Sequence, residues 1–309
     1  MKKIVIALAT LALAAGVASA QDLNAALEVY NNALAQSEND KAAALAGFEE
    51  ALKMGEALGE EGADLVANCK TVIPTLNLSL AKAKINESDF DAALEMLTKT
   101  EAIASEYENG DVLLEIPDLY VTVYNRRGSK LFNDKNFEAA LADFAKVVEA
   151  DEKDGQTWLK IAMAQQGLGK MDEAIEAYKT AAANGKEAAA NKRLGSIYIA
   201  QGQAAQKAGK IADALELYKT AMEYVENAGV YKVMGNLYAK TGKHTNANEA
   251  YKKYLELKPN APDADDVKYT IAVSAQKIGD KAMAREYYNQ LLSSDKYAET
   301  AKQQLATIK

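Results

Sequence analysis

The sequence holds one histidine and one cysteine, and neither stands near the partners that chemistry would need. His244 follows Gly242-Lys243, with no second histidine and no nearby cysteine to share a zinc ion or build a triad. It reads as a surface turn residue. Cys69 lies in "VANCKTVI" without an adjacent base to draw off its proton, and it reads as a small buried hydrophobe. Asp and Glu number 44, so adjacent acids such as Glu49-Glu50 or Asp265-Asp266 carry no signal for acid–base catalysis. "GLGKMDEA" offers Gly167, Gly169 and Lys170 but lacks the full phosphate-binding spacing and a preceding strand. "DADDVK" lacks the glycine and distal glutamate of a calcium loop, and acids are expected where a helix begins. No catalytic residue, metal ligand or cofactor site is expected, and the chain is not read as an enzyme.

A different constellation recurs. Arg126, Lys160 and Lys232 each come just after a large apolar or aromatic residue and Lys192 with Arg193 adjoin Leu194, all in segments with helical spacing, and Asn236 lies one turn after Lys232. A basic residue presented once per structural unit would form a ladder suited to carboxylates. Its setting is acidic. The first twenty residues, "MKKIVIALATLALAAGVASA", have two lysines, an apolar run and Ala18-Ser19-Ala20, the pattern of a signal peptide cleaved before Gln21. Without Lys2 and Lys3, 34 basic residues face 44 acidic ones, a net charge of -10. That argues against nucleic acid or an anionic membrane surface as partner. No later stretch is long and apolar enough for a membrane span, so no stable insertion is expected after cleavage. The expected location is the periplasm, with secretion beyond it as the alternative.

The elements that must position these residues repeat along the chain. In "YKVMGNLYAKTGKHTNANEAYKKYLELKPN", Tyr231, Met234, Gly235 and Tyr238 have helical spacing, Gly242 breaks it, Ala247, Tyr251 and Tyr254 resume it, and Pro259 closes it. Upstream, Trp158, Gly169, Ala174, Tyr178 and Ala181 repeat the device, as do Tyr124, Gly128, Leu131, Ala140, Phe144 and Val147. Ala140 to Ala174 and Phe144 to Tyr178 are each 34 residues apart. A longer copy reads Leu194, Gly195, Tyr198, Gly209, Ala214, Tyr218 and Ala221, and another Ile271, Ala272, Gly279, Ala284, Tyr288 and Leu291. Two partial copies carry Ala44, Phe48 and Ala51, and Phe90, Ala93 and Leu97, with Asn39-Asp40 and Ser88-Asp89 as turns. Pro74 and Pro117 are expected in the first turns of helices. Residues 297–308 suit a capping helix.

A period near 34 with this pattern resembles the tetratricopeptide repeat. The resemblance implies an all-α fold, a right-handed superhelical solenoid of antiparallel helix pairs, with about seven repeats and a C-terminal capping helix. It divides the chain into a signal peptide (1–20), degenerate repeats (21–112) and fuller repeats with the cap (113–309). Trp158 occupies the family's large core position. Family members mostly bind peptides or helices of other proteins in the concave groove lined by first helices. The resemblance therefore implies a non-catalytic protein–protein interaction scaffold, here in the cell envelope, with a partner protein or peptide that is acidic or offers a C-terminal carboxylate. Lys232 and Asn236 match the lysine and asparagine of the clamp by which some chaperone cofactors hold such a carboxylate, although Thr270 stands where that clamp has an asparagine. The alternative is a soluble ligand-binding module, for peptide or oligosaccharide, serving an uptake system.

Overall fold

The computed structural model describes residues 17–308, with side chains from Gln21 onward. Residues 1–16, which hold most of the expected signal peptide, lie outside the described residues. The described chain is α-helical throughout, with no strand, and none of its helices is long and apolar enough to cross a membrane. It divides into two compact units, one ending at Gly169 and the other beginning at Lys170. The 112/113 division expected from repeat strength falls inside a helix.

The first unit contains α1 (Val17–Gln36), α2 (Lys41–Ala57), α3 (Ala63–Asn86), α4 (Phe90–Glu106), α5 (Gly110–Asn133), α6 (Phe137–Ala150) and α7 (Gly155–Gly167). Consecutive helices pack as antiparallel pairs joined by turns of a few residues. The turns follow from local chemistry. Asp40, Asp89, Asn109, Asn136 and Asp154 stand just before α2, α4, α5, α6 and α7, and the side chain of each accepts hydrogen bonds from first-turn amides. Small residues on one helix face admit a ring from the next. A β-carbon on Gly128 would lie 2.9 Å from the Phe144 ring, so the two helices approach to a distance only glycine permits. Ala44, Phe48, Ala93, Leu97, Ala140 and Phe144, picked out by the repeat, are all fully buried.

Pro74 and Pro117 do not start helices. Pro74 sits in the middle of α3 and Pro117 two turns into α5. Each removes one backbone hydrogen bond, but the preceding residues bury Leu65 and Cys69 in α3 and Val112 and Ile116 in α5. At roughly 1.5–3 kcal/mol per fully buried large apolar side chain, that burial favours continuing the helix through the proline.

The second unit contains α8 (Met171–Ala181), α9 (Glu187–Lys207), α10 (Ile211–Tyr224), α11 (Ala228–Lys240), α12 (His244–Leu257), α13 (Ala264–Lys277), α14 (Lys281–Gln290) and the terminal α15 (Ala298–Thr307). Tyr178, Tyr218, Tyr251 and Tyr288 are the most deeply buried rings of its second helices. The 21 residues of α9 exceed the 13 of α11 by about two turns, as the sequence suggested. The extra length is placed differently, however. Gly202, not Gly195, faces the Tyr218 ring, with an added β-carbon 2.7 Å from it; Gly195 packs near Val225 instead. Ala214 fixes this register, since it follows Gly202 by the same twelve residues that separate Ala247 from Gly235. The two additional turns therefore precede the repeat pattern.

Candidate functional site

The basic residues singled out above fall in different surroundings. In the first unit, Lys160 projects from α7 toward α5. Its ammonium donates hydrogen bonds to Asn125 Oδ1 at 2.7 Å and Ser129 Oγ at 2.9 Å, and it lies 5.3 Å from the centre of the Phe144 ring. Both bonded oxygens are neutral. Burial lowers the Lys160 pKa, opposed by the charge of Asp154 on the same helix end. Asp154 is itself held by bonds from Thr157 and the amide of Gln156, and these outweigh burial to lower its pKa.

Arg126 is exposed on α5 and borders an open hollow of about 630 Å³ lined by Ser88, Phe90, Asn125, Arg126, Ser129, Lys130, Asn133 and Asp134. The asparagine and serine that hold Lys160 are thus part of its wall. Sequence reasoning missed Asn125, Ser129, Lys130 and Asn133. The signal for them was four- and eight-residue spacing along α5 from Asn125, which places Asn125, Ser129 and Asn133 on one face.

Arg127, beside Arg126, does structural work. Its guanidinium grips Asp143 on α6 through two bonds of 2.9 and 2.7 Å and reaches Asp91 on α4 at 2.6 Å. Hydrogen bonding to Asp143 raises the Arg127 pKa.

In the second unit, Lys192 and Arg193 are exposed in the early turns of α9. Because Gly202 sets the register, they precede the repeat's large position, now Tyr198, by six and five residues. The once-per-repeat spacing is interrupted there, and Arg193 acts instead near Tyr178, lowering the pKa that burial raises.

Lys232, on α11, is already paired. Its ammonium forms an ion pair with Asp263, just before α13, and Tyr254 donates its hydroxyl to the same carboxylate. The Lys232 bond, with that of Tyr254, lowers the Asp263 pKa. Bonding to Asp263 pushes Tyr254 up to about 12. Asn236 is exposed one turn later. Its Oδ1 accepts the Tyr251 hydroxyl at 2.7 Å, which leaves its NH2 as the available donor. Thr270 bonds back to the Asp266 carbonyl of its own helix.

The remaining candidates have structural surroundings. Cys69 is fully buried, and burial pushes its thiol up to about 12. His244 starts α12 and is partly buried rather than exposed, because Ser274 of α13 packs over its backbone and donates to its carbonyl at 3.5 Å. Trp158 is partly buried and donates its ring N–H to the Glu152 carbonyl at 2.9 Å.

Tetratricopeptide-repeat family models match residues 155–183, 199–262 and 265–297. Among curated proteins, none matches the sequence. Solved structures similar to it include MamA, at 23% identity over 59% of this chain and 94% of that one, with a TM-score of 0.30. Another is the tetratricopeptide-repeat protein TTC0263 of Thermus thermophilus, at 22% identity over 61% and 98%, with a TM-score of 0.27. A third is the tetratricopeptide-repeat protein YrrB, at 20% identity over 59% and 91%, with a TM-score of 0.29. Repeats of this family build protein–protein interaction scaffolds and are generally non-catalytic. With their helix pairs and glycine-and-ring packing, the three matched stretches are tetratricopeptide repeats.

Proposed function

We propose that this protein is an exported, non-catalytic scaffold that holds a peptide segment or helix of a partner protein against the surface of its first helices. The observation that carries the reading is the link from Lys160 on α7 to Asn125 and Ser129 on α5. It brings two successive first helices of the unit to one polar, basic surface. A stacked repeat cannot bury its apolar face alone, and stacking leaves such first-helix surfaces open to a ligand. The N-terminal pattern of residues 1–20 supports export to the periplasm. Arg126, Lys160, Lys192, Arg193, Lys232 and Asn236 remain the proposed partner-contacting set, and their charge favours an acidic peptide or a C-terminal carboxylate.

The test is crosslinking in intact cells followed by capture of the full-length protein from the periplasmic fraction. The expected result is one protein recovered in near-stoichiometric amount, whose recovery falls as salt rises. Recovery of the chain only from the cytosol would remove export. Response to a small sugar or peptide, with no protein partner captured, would replace the scaffold with the ligand-binding alternative.

A further inference from the structure

The two lysines that stand closest to a carboxylate-binding role are in opposite states, and that contrast locates a site. Lys232 has its counter-ion built in, since Asp263 and Tyr254 close over it. Among the described residues, the hydrogen bonds of Lys160 go to the neutral oxygens of Asn125 and Ser129. Neither Arg126 nor Lys130, across the adjoining hollow, takes part in an ion pair among the described residues. A cation drawn partly out of water and held by neutral acceptors has lost hydration without forming an ion pair, and Asp154 acts on it through longer-range attraction.

We propose that the hollow between α3–α4 and α5 is a carboxylate-binding site, and that it takes an acidic side chain of a bound peptide. Arg126 and Lys130 supply charge from the rim. Asn125 and Asn133 supply amide N–H donors, because tying Asn125 Oδ1 to Lys160 leaves the Asn125 NH2 group free to face a ligand. Phe90, nearly buried in the wall, offers an apolar surface for the stem of the ligand side chain. Asp134 is the one acid in the lining and sets a limit, since it repels a second carboxylate placed close to it. Lys160 stands behind Asn125 and Ser129, polarises both and adds positive potential to the wall. At Lys232 the corresponding demand is met inside the chain by Asp263, so unit two offers no equivalent site there.

This proposal rests on the scaffold reading, and it deepens it by naming the ligand chemistry and the unit that binds it. The experiment titrates the full chain with three probes and reads amide chemical shifts. The first is Ac-Ala-Glu-Leu-Glu-Ala-NH2. The second replaces both Glu by Gln, and the third is the Gln peptide with a free C-terminal carboxylate. The Glu peptide should shift the amides of α5 and lose affinity as salt rises, and the capped Gln peptide should bind about tenfold more weakly or worse, the loss of one bond to a charged group. Preference for the third probe over the first would overturn the assignment to a side-chain carboxylate.

Lys160→Met should weaken the Glu peptide about tenfold. Asn125→Asp should do the same by giving Lys160 an internal counter-ion, in the way Asp263 does for Lys232, and it keeps the side-chain shape should the methionine variant fold poorly. Lys219→Met, on the exposed face of α10 in the second unit, should leave affinity unchanged. Equal binding of the Glu and capped Gln peptides, or loss on Lys219→Met and not on Asn125→Asp, overturns the proposal. Capture of the cellular partner separates the two levels. Equal retention by wild type and Asn125→Asp leaves the scaffold standing and removes this site. Peptide binding at α5 with no partner captured removes the scaffold and leaves the site.

Discussion

The two units solve the same helix–turn–helix problem with different residues. In the first unit, the left-handed turn position is filled by Ser88 (φ 61°), Glu108 (φ 53°) and Lys135 (φ 61°). A side chain with a β-carbon there costs about 1–2 kcal/mol. Each is followed by a residue that caps the next helix, Asp89, Asn109 or Asn136, and such a cap is worth about 1 kcal/mol. In the second unit, Gly209 and Gly242 take the position without strain at φ 76° and 73°, but Lys210 and Lys243 follow and their side chains cap nothing. These three turns of the first unit have strain and a cap, and these two of the second have neither. The net stabilities of the two turns are therefore similar, although their sequences differ. Cores diverge in the same manner. Phe48 and Phe144 fill the first unit, whereas Tyr218, Tyr251 and Tyr288 fill the second and send their hydroxyls to Gln206, Asn236 and Gln276 at 2.9, 2.7 and 2.7 Å.

The largest effects should come from those rings. Tyr178→Ala and Tyr251→Ala remove fully or nearly fully buried side chains and should each destabilise the second unit by about 3–5 kcal/mol. Hydrogen exchange should accelerate first in the altered helix pair and its neighbours, because repeats couple mainly to the next repeat. Uniform acceleration, with no excess at the altered helix pair, would contradict coupling that runs mainly between neighbouring repeats. Phe144→Ala should mirror the result in the first unit. Alkali should separate the units without any mutation. Burial raises the pKa of Tyr178, Tyr218 and Tyr251, and that of Tyr288 to about 12. A pKa raised by folding stabilises fully below the unfolded value near 10, and that contribution disappears as pH climbs through the folded value. Between about pH 10 and 12, the second unit should lose protection before the phenylalanine pairs of the first. Simultaneous loss would show that the tyrosines do not set the alkaline limit.

A second contrast is Arg127. Counting from the buried glycine or alanine of each first helix, its position is held by Ile161, Met234 and Ile271 in other repeats. Asp143, its partner, is only 4% exposed. Arg127→Met would leave that carboxylate buried without its counter-ion and should cost roughly 3 kcal/mol, whereas replacing both as Arg127→Met with Asp143→Ala should recover most of it. Denaturant melts of the single and double variants check this, and equal loss in both would mean that the pair itself, not the stranded charge, carries the stability.

The helix pairs were legible because a ring packed on glycine or alanine leaves a 34-residue signature, and the chain shows it from Ala140 to Ala174 and from Phe144 to Tyr178. The register of α9 was not. Leu194, Gly195 and Tyr198 mimic the large–small–large set, and only packing against Tyr218 reveals that Gly202 is the glycine in use. Pro74 and Pro117 misled for a related reason, since helix propensity is local while the burial of Leu65 and Ile116 is not. At the candidate site, the basic residues were visible as charges. Which of them already had a counter-ion depended on Asp263, 31 residues beyond Lys232, and on the neutral contacts Lys160 makes across to α5. Spacing within one repeat holds no record of either.

The smallest effect tests the turn comparison itself. Ser88→Gly should remove the left-handed strain while keeping the Asp89 cap, and should stabilise the first unit by about 1 kcal/mol. Lys243→Asp should add a cap to the unstrained glycine turn before α12 and stabilise the second unit by a similar ~1 kcal/mol. The reciprocal changes should both hurt. Asp89→Ala loses the cap while retaining the strain, and Gly242→Ala introduces strain where no cap offsets it. Gly279-Asp280 already combines the two favourable choices: the glycine takes φ 77° and Asp280 accepts from the Met283 amide. It therefore serves as the internal reference, and Asp280→Lys should bring that turn down to the level of Gly242-Lys243. Melting temperatures of the five variants, measured side by side, should rise for the first two and fall for the other three. If Lys243→Asp left stability unchanged while Asp280→Lys lowered it, the cap would depend on α14 itself rather than on the turn, and the two units would differ by more than their choice of turn residues.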